Sequence, residues 1–272
     1  MVLSVMNYFY GMIEIWSAAG LGLGAVVLLG SALTLFSGFG LGTLLMPVMA
    51  LFFPIELSIL LTAIVHLFNN LFKLTLFYKN IHWKTIITFA PTAILGAWMG
   101  SKLLTYVGQS NRDIIVPFTN TTTNFINILI GFLLLLFALL EWSPENKRPS
   151  FDKRWLPLGG ILSGFFGGLS GHQGALRSAF LIRTQLSKES IIATGIIIAT
   201  FIDLTRMSQY IPNMDRSIVT DHSKVLLFAI VCSSAGVILG KKYMGSITLP
   251  LLQKIIAIGL ILFSICLMIG WI

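Results

Sequence analysis

Glycines interrupt two long apolar segments of the chain, at Ser163-Gly164-Phe165-Phe166-Gly167-Gly168-Leu169-Ser170-Gly171 and, about 126 residues earlier, at Ser37-Gly38-Phe39-Gly40-Leu41-Gly42. We interpret the two stretches as copies of one unit. Matching breaks inside the apolar segments of a duplicated chain are typical of membrane proteins that bind a small solute between the two copies. The pattern therefore predicts an internal repeat with a site at the breaks.

The composition predicts that the chain lies in a lipid bilayer. Hydrophobic residues make up 56% of the 272 residues, charged residues only 10%, and the mean hydropathy is +0.89. Neither a charged residue nor a histidine occurs from Ile15 to Ile55, from Ile114 to Leu140, or from Ile255 to Ile272, and about 20 apolar residues suffice for one span. Without a basic n-region or a small-residue cleavage site near the start, we expect the first segment to be retained.

The net charge of +8 does not point to nucleic acid. Much of the excess lies in short loops, notably at Lys147, Arg148, Lys153 and Arg154, as the positive-inside rule expects for cytoplasmic loops of a membrane protein. The two cysteines, Cys232 and Cys266, stand alone in apolar segments without metal-ligand or disulfide spacing. We expect them to be packing residues.

The hydropathy pattern predicts an all-α integral membrane protein of about eight hydrophobic elements, four in each half. Each half begins with a Gly-broken segment, which three spanning helices follow. The predicted elements are a broken segment at 17–53, helices at 56–78, 85–104 and 121–142, a second broken segment at 155–185, and helices at 188–210, 223–243 and 249–272. The predicted domains are a first repeat at 1–142, beginning with an interfacial segment, a cytoplasmic linker at 143–154 and a second repeat at 155–272.

Similar residues recur at a nearly constant offset between the halves. One helix in each half begins with an acid and carries a polar pair near its end. The two sets lie 133 residues apart: Glu56, Asn70 and Lys73 in the first half, and Glu189, Asp203 and Arg206 in the second. A pair of glycines four residues apart occurs at Gly96 and Gly100 and again at Gly236 and Gly240. We expect these four glycines to let membrane helices pack closely.

The broken segments leave two arrangements open. Trp155 to Leu169 is about 15 residues, or roughly 22 Å of helix, which is shorter than a hydrocarbon core of about 30 Å. If both broken segments are re-entrant, each half crosses three times and the halves are inverted. If both cross fully, the halves are parallel. Helix length and loop charges favour the inverted arrangement.

The breaks also indicate an anion site. Irregular backbone at membrane depth must be buried in protein or line a cavity. A new helix starts after each break, and the free N–H groups at its N-terminus attract anions. The residues that this argument places at the site are Gly40, Gly42, Thr43, Ser170, Gly171, His172 and Gln173. The alternative is that the glycine bends only ease helix packing.

The chain resembles the sulfite exporter TauE/SafE family, also called the toluene-sulfonate uptake permease family. The resemblance rests on Gly38-Phe39-Gly40-Leu41-Gly42 followed by Pro47, on the second Gly-rich copy at 164–174, on Asn80-Ile81-His82-Trp83-Lys84, and on the two-half layout. It implies a multi-span transporter of small, mostly sulfur-containing anions. The second copy departs from the family pattern, because Gly171-His172-Gln173-Gly174-Ala175-Leu176-Arg177 replaces a glycine run followed by proline.

Arg177 is the first candidate for binding an oxyanion, because a guanidinium offers a fixed fork of donors and stays charged. His172 is the second, either as a donor or as a carrier of a coupling proton. Each has a structural alternative: an ion pair or an interfacial position for Arg177, and a hydrogen-bonded imidazole for His172.

Three further candidates, His66, Asn69 and Asn70, share one helical face with Lys73. Two roles are open for these three residues: they bind the anion, or they form hydrogen bonds between helices. Asp203 and Arg206 either pair at i, i+3 or, through Asp203, take part in proton coupling. Lys73 and Arg206, near helix ends, are expected to extend to the membrane surface.

The resulting hypothesis is a secondary transporter of sulfite, a sulfonate or a related anion, working by alternating access in a bacterial-type inner membrane, with proton coupling by His172 and Asp203. The alternatives are a passive anion channel and a non-transporting accessory protein. We expect no enzyme activity, cofactor or metal, because His-Glu-x-x-His, Gly-x-Ser-x-Gly and Walker motifs are absent from the sequence. The expected partners are a small anionic substrate and the lipid bilayer, not nucleic acid.

Overall fold

The computed structural model describes residues 17–35, 40–109, 113–142, 150–213, 221–243 and 249–272. Within them the chain is 84% helical and forms ten α-helices. The helices are α1 (Ala18–Thr34), α2 (Leu41–Ala50), α3 (Ile55–Phe77), α4 (Trp83–Gln109), α5 (Phe125–Trp142), α6 (Leu156–Ser170), α7 (Gly174–Leu181), α8 (Lys188–Tyr210), α9 (Ser223–Tyr243) and α10 (Leu249–Met268). Two short strands, β1 (Asp113–Val116) and β2 (Thr121–Asn124), precede α5.

Four helices in the described part of the chain are long and apolar enough to cross a membrane: α3, α4, α8 and α9. Shorter apolar helices are α1, α2, and parts of α5 and α10. The protein is therefore a multi-pass membrane protein. The helix α6 has 15 residues, as the sequence predicts for a segment too short to span, and it ends at Gly171, whose φ of 83° is left-handed.

Helices α6 and α7 form a hairpin that doubles back on itself. Gly159, near the start of α6, lies against the ring of Phe180 near the end of α7. Just before α7 begins, the Gln173 carbonyl accepts from the hydroxyl of Ser163, in the middle of α6, at 3.1 Å. At the open end, the Phe151 N–H donates to the Ala179 carbonyl at 3.2 Å. The chain therefore leaves this hairpin close to where it enters.

Glycines bring two pairs of helices into backbone contact, and both pairs are parallel. On α4 and α6, a Cβ atom on Gly96 would lie 2.3 Å from the Ile161 carbonyl oxygen, and one on Gly100 would lie 2.0 Å from that of Phe165. On α9 and α1, Gly236 and Gly240 face the Leu28 and Ala32 carbonyls in the same way. The predicted packing role of these four glycines is confirmed.

The helices α3 and α8 pack together in the centre, and the candidate site lies between them. One hydrogen bond shows their relative direction. The His82 N–H, just beyond the end of α3, donates to the Thr194 hydroxyl, near the start of α8, at 3.1 Å. The two helices are therefore antiparallel. The most apolar stretch of α3 is 78% buried, which agrees with a helix surrounded by others.

The predicted helix at 121–142 starts too early, because β1 and β2 form an antiparallel hairpin before α5. Thr121, Thr122 and Thr123 are β-branched and pair with Val116, Ile115 and Ile114, a combination that favours strand. The Thr123 hydroxyl also donates to the Leu267 carbonyl at 3.3 Å. This contact sets the start of α5 beside the end of α10.

The predicted last helix at 249–272 ends early, at Met268, where Gly270 adopts a left-handed φ of 71°. Several predictions fall outside the described residues: the interfacial start, the beginning of the first Gly-rich stretch at 36–39, and most of the linker at 143–149. The division into a first repeat, a linker and a second repeat stays a prediction.

The backbone contact of α4 with α6 predicts that a single methyl group at Gly164 destabilises the protein. A Cβ atom there would lie 2.0 Å from the Ala93 carbonyl oxygen, so the helices must separate. We expect Gly164→Ala to cost about 1–3 kcal/mol of unfolding free energy, measured by thermal unfolding in detergent. Gly22→Ala is the control, since a Cβ atom there meets nothing within 4 Å. Equal stability of the two variants would contradict the contact.

Candidate functional site

Asp203 of α8 is the centre of the polar network between α3 and α8. Its side chain is fully buried. The Oδ2 atom lies 2.7 Å from Nδ1 of His66 and accepts from the amide of Asn70 at 3.2 Å. Because both partners belong to α3, a single carboxylate oxygen joins the two central helices.

The other oxygen of Asp203 joins α8 to the α6–α7 hairpin. Oδ1 accepts from Nε of Arg206 at 3.1 Å, and Nη2 of Arg206 lies 2.8 Å from the same oxygen. It also accepts from the side-chain amide of Gln173, at the closed end of the hairpin, at 3.2 Å. The i, i+3 ion pair, one of the two roles that the sequence leaves open for Asp203 and Arg206, is present. Such a buried pair needs these additional hydrogen bonds, because desolvating two charges is costly.

Arg177 extends this network towards a cavity. Its Nη1 donates to Oε1 of Gln173 at 3.2 Å, one turn earlier along α7. The guanidinium lies over Gly195 of α8, where a Cβ atom would come within 3.1 Å of Nε. A glycine at this position of α8 therefore leaves room for the arginine to reach the interior.

A cavity of about 60 Å³ lies beside Arg177. Lys73 of α3 also lines it and is buried, with 5% of its side chain exposed. Of the described residues around the cavity, none is acidic, and the nearby Asp203 is already paired with Arg206. The cavity is therefore cationic. The described lining residues are Thr34, Leu35, Gly40, Leu41, His66, Asn70, Lys73, Arg177, Ser178, Leu181, Ile191, Ile192, Gly195 and Ile196.

The two Gly-rich breaks meet at one end of the cavity. Gly40 precedes the first turn of α2, and Gly174 begins α7. A Cβ atom on Gly40 would lie 4.0 Å from the Cα of Gly174 and 3.8 Å from Nε2 of His66. The N-terminal ends of α2 and α7 thus lie side by side, next to the ring nitrogen of His66 that does not bond Asp203. Partial positive charge at helix N-termini adds to the charge of the two cations.

The structure brings only part of the sequence-predicted set to the cavity wall. Gly40, His66, Asn70 and Arg177 line it, and Gln173 lies directly behind Arg177. Asn69, which precedes Asn70 in α3, does not line the cavity. It donates to the Ser31 hydroxyl of α1 at 2.8 Å and to the Ser233 carbonyl of α9. Its observed contacts are those of a residue that joins helices.

Other predicted residues cluster on the far side of the break. Gly42 faces the Gly171 carbonyl, and Thr43 is buried beside it in α2. The Nδ1 of His172 bonds the Ser170 hydroxyl at 3.0 Å, and the His172 ring stacks on Phe137 with centroids 5.6 Å apart. These residues are outside the lining of the described cavity.

The prediction that Lys73 and Arg206 extend to the membrane surface is wrong. Lys73 is 5% exposed and Arg206 is fully buried. The sequence did contain a signal that Lys73 lies at the site, since Lys73 shares the polar face of α3 with His66 and Asn70. For Thr34, Ser178 and Gly195 no sequence signal distinguishes them from packing residues. Among the described residues no group of three or more His, Cys, Asp or Glu is arranged to hold a metal.

The network predicts that Asp203 is essential to the stability of the protein. Asp203→Asn removes the charge that compensates Arg206 and leaves a buried cation unpaired, a change that typically costs about 3–5 kcal/mol. We expect a large drop in the thermal unfolding midpoint of the detergent-solubilised protein. Asp152→Asn is the control because Asp152 is exposed. A midpoint of Asp203→Asn equal to that of the control would show that Arg206 needs no counter-charge.

Comparison with known families gives one match. The family described as Sulfite exporter TauE/SafE matches residues 23–267 of the chain, which includes all the cavity residues named above. Comparisons with curated proteins and with solved structures found no significant match.

Proposed function

Because the chain belongs to the sulfite exporter TauE/SafE family, whose members are membrane transporters and not enzymes, we propose that it moves sulfite or a related small sulfur oxyanion by alternating access. The observation that carries the proposal is the buried cavity flanked by Lys73 and Arg177. Two cations without an acid among the lining residues favour an anion, and a guanidinium suits an oxyanion's geometry.

We place the bound anion between the two helix breaks. Arg177 and Lys73 would supply charge, His66 Nε2 a ring nitrogen, and Asn70 an amide. Gln173 would hold the guanidinium of Arg177 in position. The N–H groups of α2 and α7 near Gly40 and Gly174 would complete the site. This arrangement is consistent with binding at the interface of two repeats, where discontinuous helices point their N-termini at an anionic group.

We also propose that the two halves are inverted repeats. Three observations support this: α6 and α7 turn back on the side they entered, α3 and α8 are antiparallel, and the start of α5 lies beside the end of α10. Parallel repeats would make the equivalent helices α5 and α10 run the same way. The glycine contacts agree with such a pair of repeats. In one contact α4 of the first half packs on α6 of the second, and in the equivalent contact α9 of the second half packs on α1 of the first.

The cavity faces the side of the membrane that we assign to the cytoplasm. Its outer lining, Leu181 and Ile191, lies at the end of α7 and the start of α8. At the same side lie Lys79 and Lys84 after α3, and Arg183 and Lys188 after α7. The positive-inside rule assigns such a basic side to the cytoplasm. In the inner membrane of a bacterial-type cell, the cavity would receive an anion from inside.

For proton coupling, we propose that Asp203 and His66 carry the proton together. Their 2.7 Å contact lies beside the cavity, and the neighbouring Arg177 is linked to Asp203 through Gln173. Adding a proton to this pair would change the charge next to a bound anion. His172 is further from the cavity in this conformation, with its ring held by Ser170 and Phe137.

The role of Arg177 predicts the outcome of uptake of radiolabelled sulfite into proteoliposomes. We expect saturable flux in the unaltered protein and at least about a tenfold loss in both Arg177→Lys and Arg177→Ala, since a charge-assisted hydrogen bond contributes about 1.5–3 kcal/mol. Arg183→Ala is the control, because Arg183 is exposed and donates to the Ser150 hydroxyl, outside the cavity.

Flux retained in both Arg177 variants would remove Arg177 from the site. Flux that rises linearly with sulfite concentration would indicate a channel instead of a carrier.

The proposed proton carrier predicts how the flux responds to a pH gradient. We expect an imposed gradient to accelerate sulfite flux in the unaltered protein and a protonophore to abolish the acceleration. In His66→Gln, which keeps hydrogen-bonding capacity but cannot take up a proton, the acceleration should be absent. His82→Gln is the control, since His82 bonds Thr85 outside the network. An unaltered protein that ignores the gradient would rule out proton coupling.

A further inference from the structure

Five buried side-chain atoms in the described residues have no hydrogen-bond partner, and four of them belong to three residues next to the two Gly-rich breaks. They are Oγ1 of Thr62, Nε2 of His172, and Nη1 and Nη2 of Arg206; the last of these touches Asp203 without hydrogen-bond geometry. Buried polar groups are nearly always bonded. A concentration of unpartnered groups, including Nη1 of a guanidinium, is therefore consistent with a ligand site.

These three residues meet around two glycines. Gly171 presents its Cα to Arg206, where a Cβ atom would lie 2.9 Å from Nη1. A Cβ atom on Gly42 would lie 3.4 Å from the Gly171 carbonyl and 3.7 Å from the Thr62 methyl group. His172 follows Gly171 directly. All three side chains are at least nine-tenths buried, with Thr62 and Arg206 fully so.

This cluster lies beyond Asp203 as seen from the cavity. Along α8, the cavity lining ends at Ile196 and Arg206 follows Asp203. Along the antiparallel α3, Thr62 precedes His66 by one turn in the same direction. Beyond Arg206, the Tyr210 hydroxyl donates to the Gly168 carbonyl, which joins α8 to α6 on this side of Asp203.

We propose that Arg206, Thr62 and His172 form a second binding station for the transported oxyanion, closed in this structure. This inference rests on the proposed transport function and deepens it. The two Nη groups and the Thr62 hydroxyl would donate to anion oxygens, and the His172 ring nitrogen would contact another. An anion released from Lys73 and Arg177 enters this station once the hairpin α6–α7 moves away from Arg206. Asp203, between the stations, neutralises Arg206 while its station is empty.

Thr62→Val is the decisive variant, because it preserves shape and removes a hydroxyl that bonds nothing in the protein. We expect its thermal stability to match that of the unaltered protein. Equilibrium binding of sulfite to the detergent-solubilised protein should change less than about twofold, since the cavity is intact. Flux of radiolabelled sulfite in proteoliposomes should fall about tenfold, the effect of losing one hydrogen bond to a charged group.

Two matched variants complete the experiment. Thr62→Ser keeps the hydroxyl and should restore flux. Thr200→Val removes a hydroxyl that donates to the Ile196 carbonyl within α8, and its flux should equal that of the unaltered protein. Unchanged flux in Thr62→Val would overturn the second station, and so would a parallel loss of flux and stability, because the hydroxyl would then be structural. An absence of saturable sulfite flux in the unaltered protein would instead refute the proposed transport function.

Discussion

The cost of burying the Asp203 carboxylate is the constraint on which the rest of the interior depends. A carboxylate without water is tolerated only when charge and hydrogen bonds surround it. Arg206 supplies the charge, while His66, Asn70 and Gln173 supply hydrogen bonds from α3 and from the hairpin α6–α7. Three separate parts of the chain are thus held by one residue. Any motion of the hairpin must either keep these bonds or exchange them.

Close backbone packing makes this polar centre possible. Glycines on α4, α6, α9 and α1 let neighbouring helices touch through their carbonyl groups, and lipid offers no hydrophobic force to replace such contact. Apart from Pro157 and Leu158, the residues of the two short helices of the hairpin are buried or half-buried. Their broken ends, which lipid could not solvate, meet at Gly40 and Gly174. The same packing that shields the breaks from lipid places their N-termini against the cavity.

Lys73 and Arg177 differ from Arg206 in their counter-charge. Lys73 and Arg177 line the cavity without a lining acid, whereas Arg206 is compensated by Asp203. An anion in the cavity therefore encounters net positive charge on one side of Asp203 only. Under the proposed second station, Arg206 would exchange its carboxylate partner for the anion. That exchange would keep the number of buried unpaired charges low at each stage, which a membrane interior demands.

Much of the architecture follows from the sequence because apolar length and glycine spacing act locally. The positions of α3, α8 and α9, the 15 residues of α6 and the packing role of Gly96 and Gly236 required no knowledge of distant contacts. The strand pair before α5 was missed because three threonines in an apolar run suit a membrane helix as well as a strand. Their pairing with β1 and their hydrogen bonds to the end of the chain around α10 distinguish the two.

The candidate site also has features that the local sequence predicts and features that depend on distant contacts. The sequence by itself determined that Arg177, His66, Asn70 and Asp203 lie inside apolar segments, where an ionisable or polar group must find a cavity or a partner. Only the tertiary structure decided which of these it finds. Asn69 bonds Ser31, Asp203 bonds His66, and Lys73 is buried beside Arg177. The reason is physical: helical periodicity sets the face on which a side chain lies, but the neighbour on that face comes from another helix, 38 residues away for Asn69 and Ser31 and 137 residues away for His66 and Asp203.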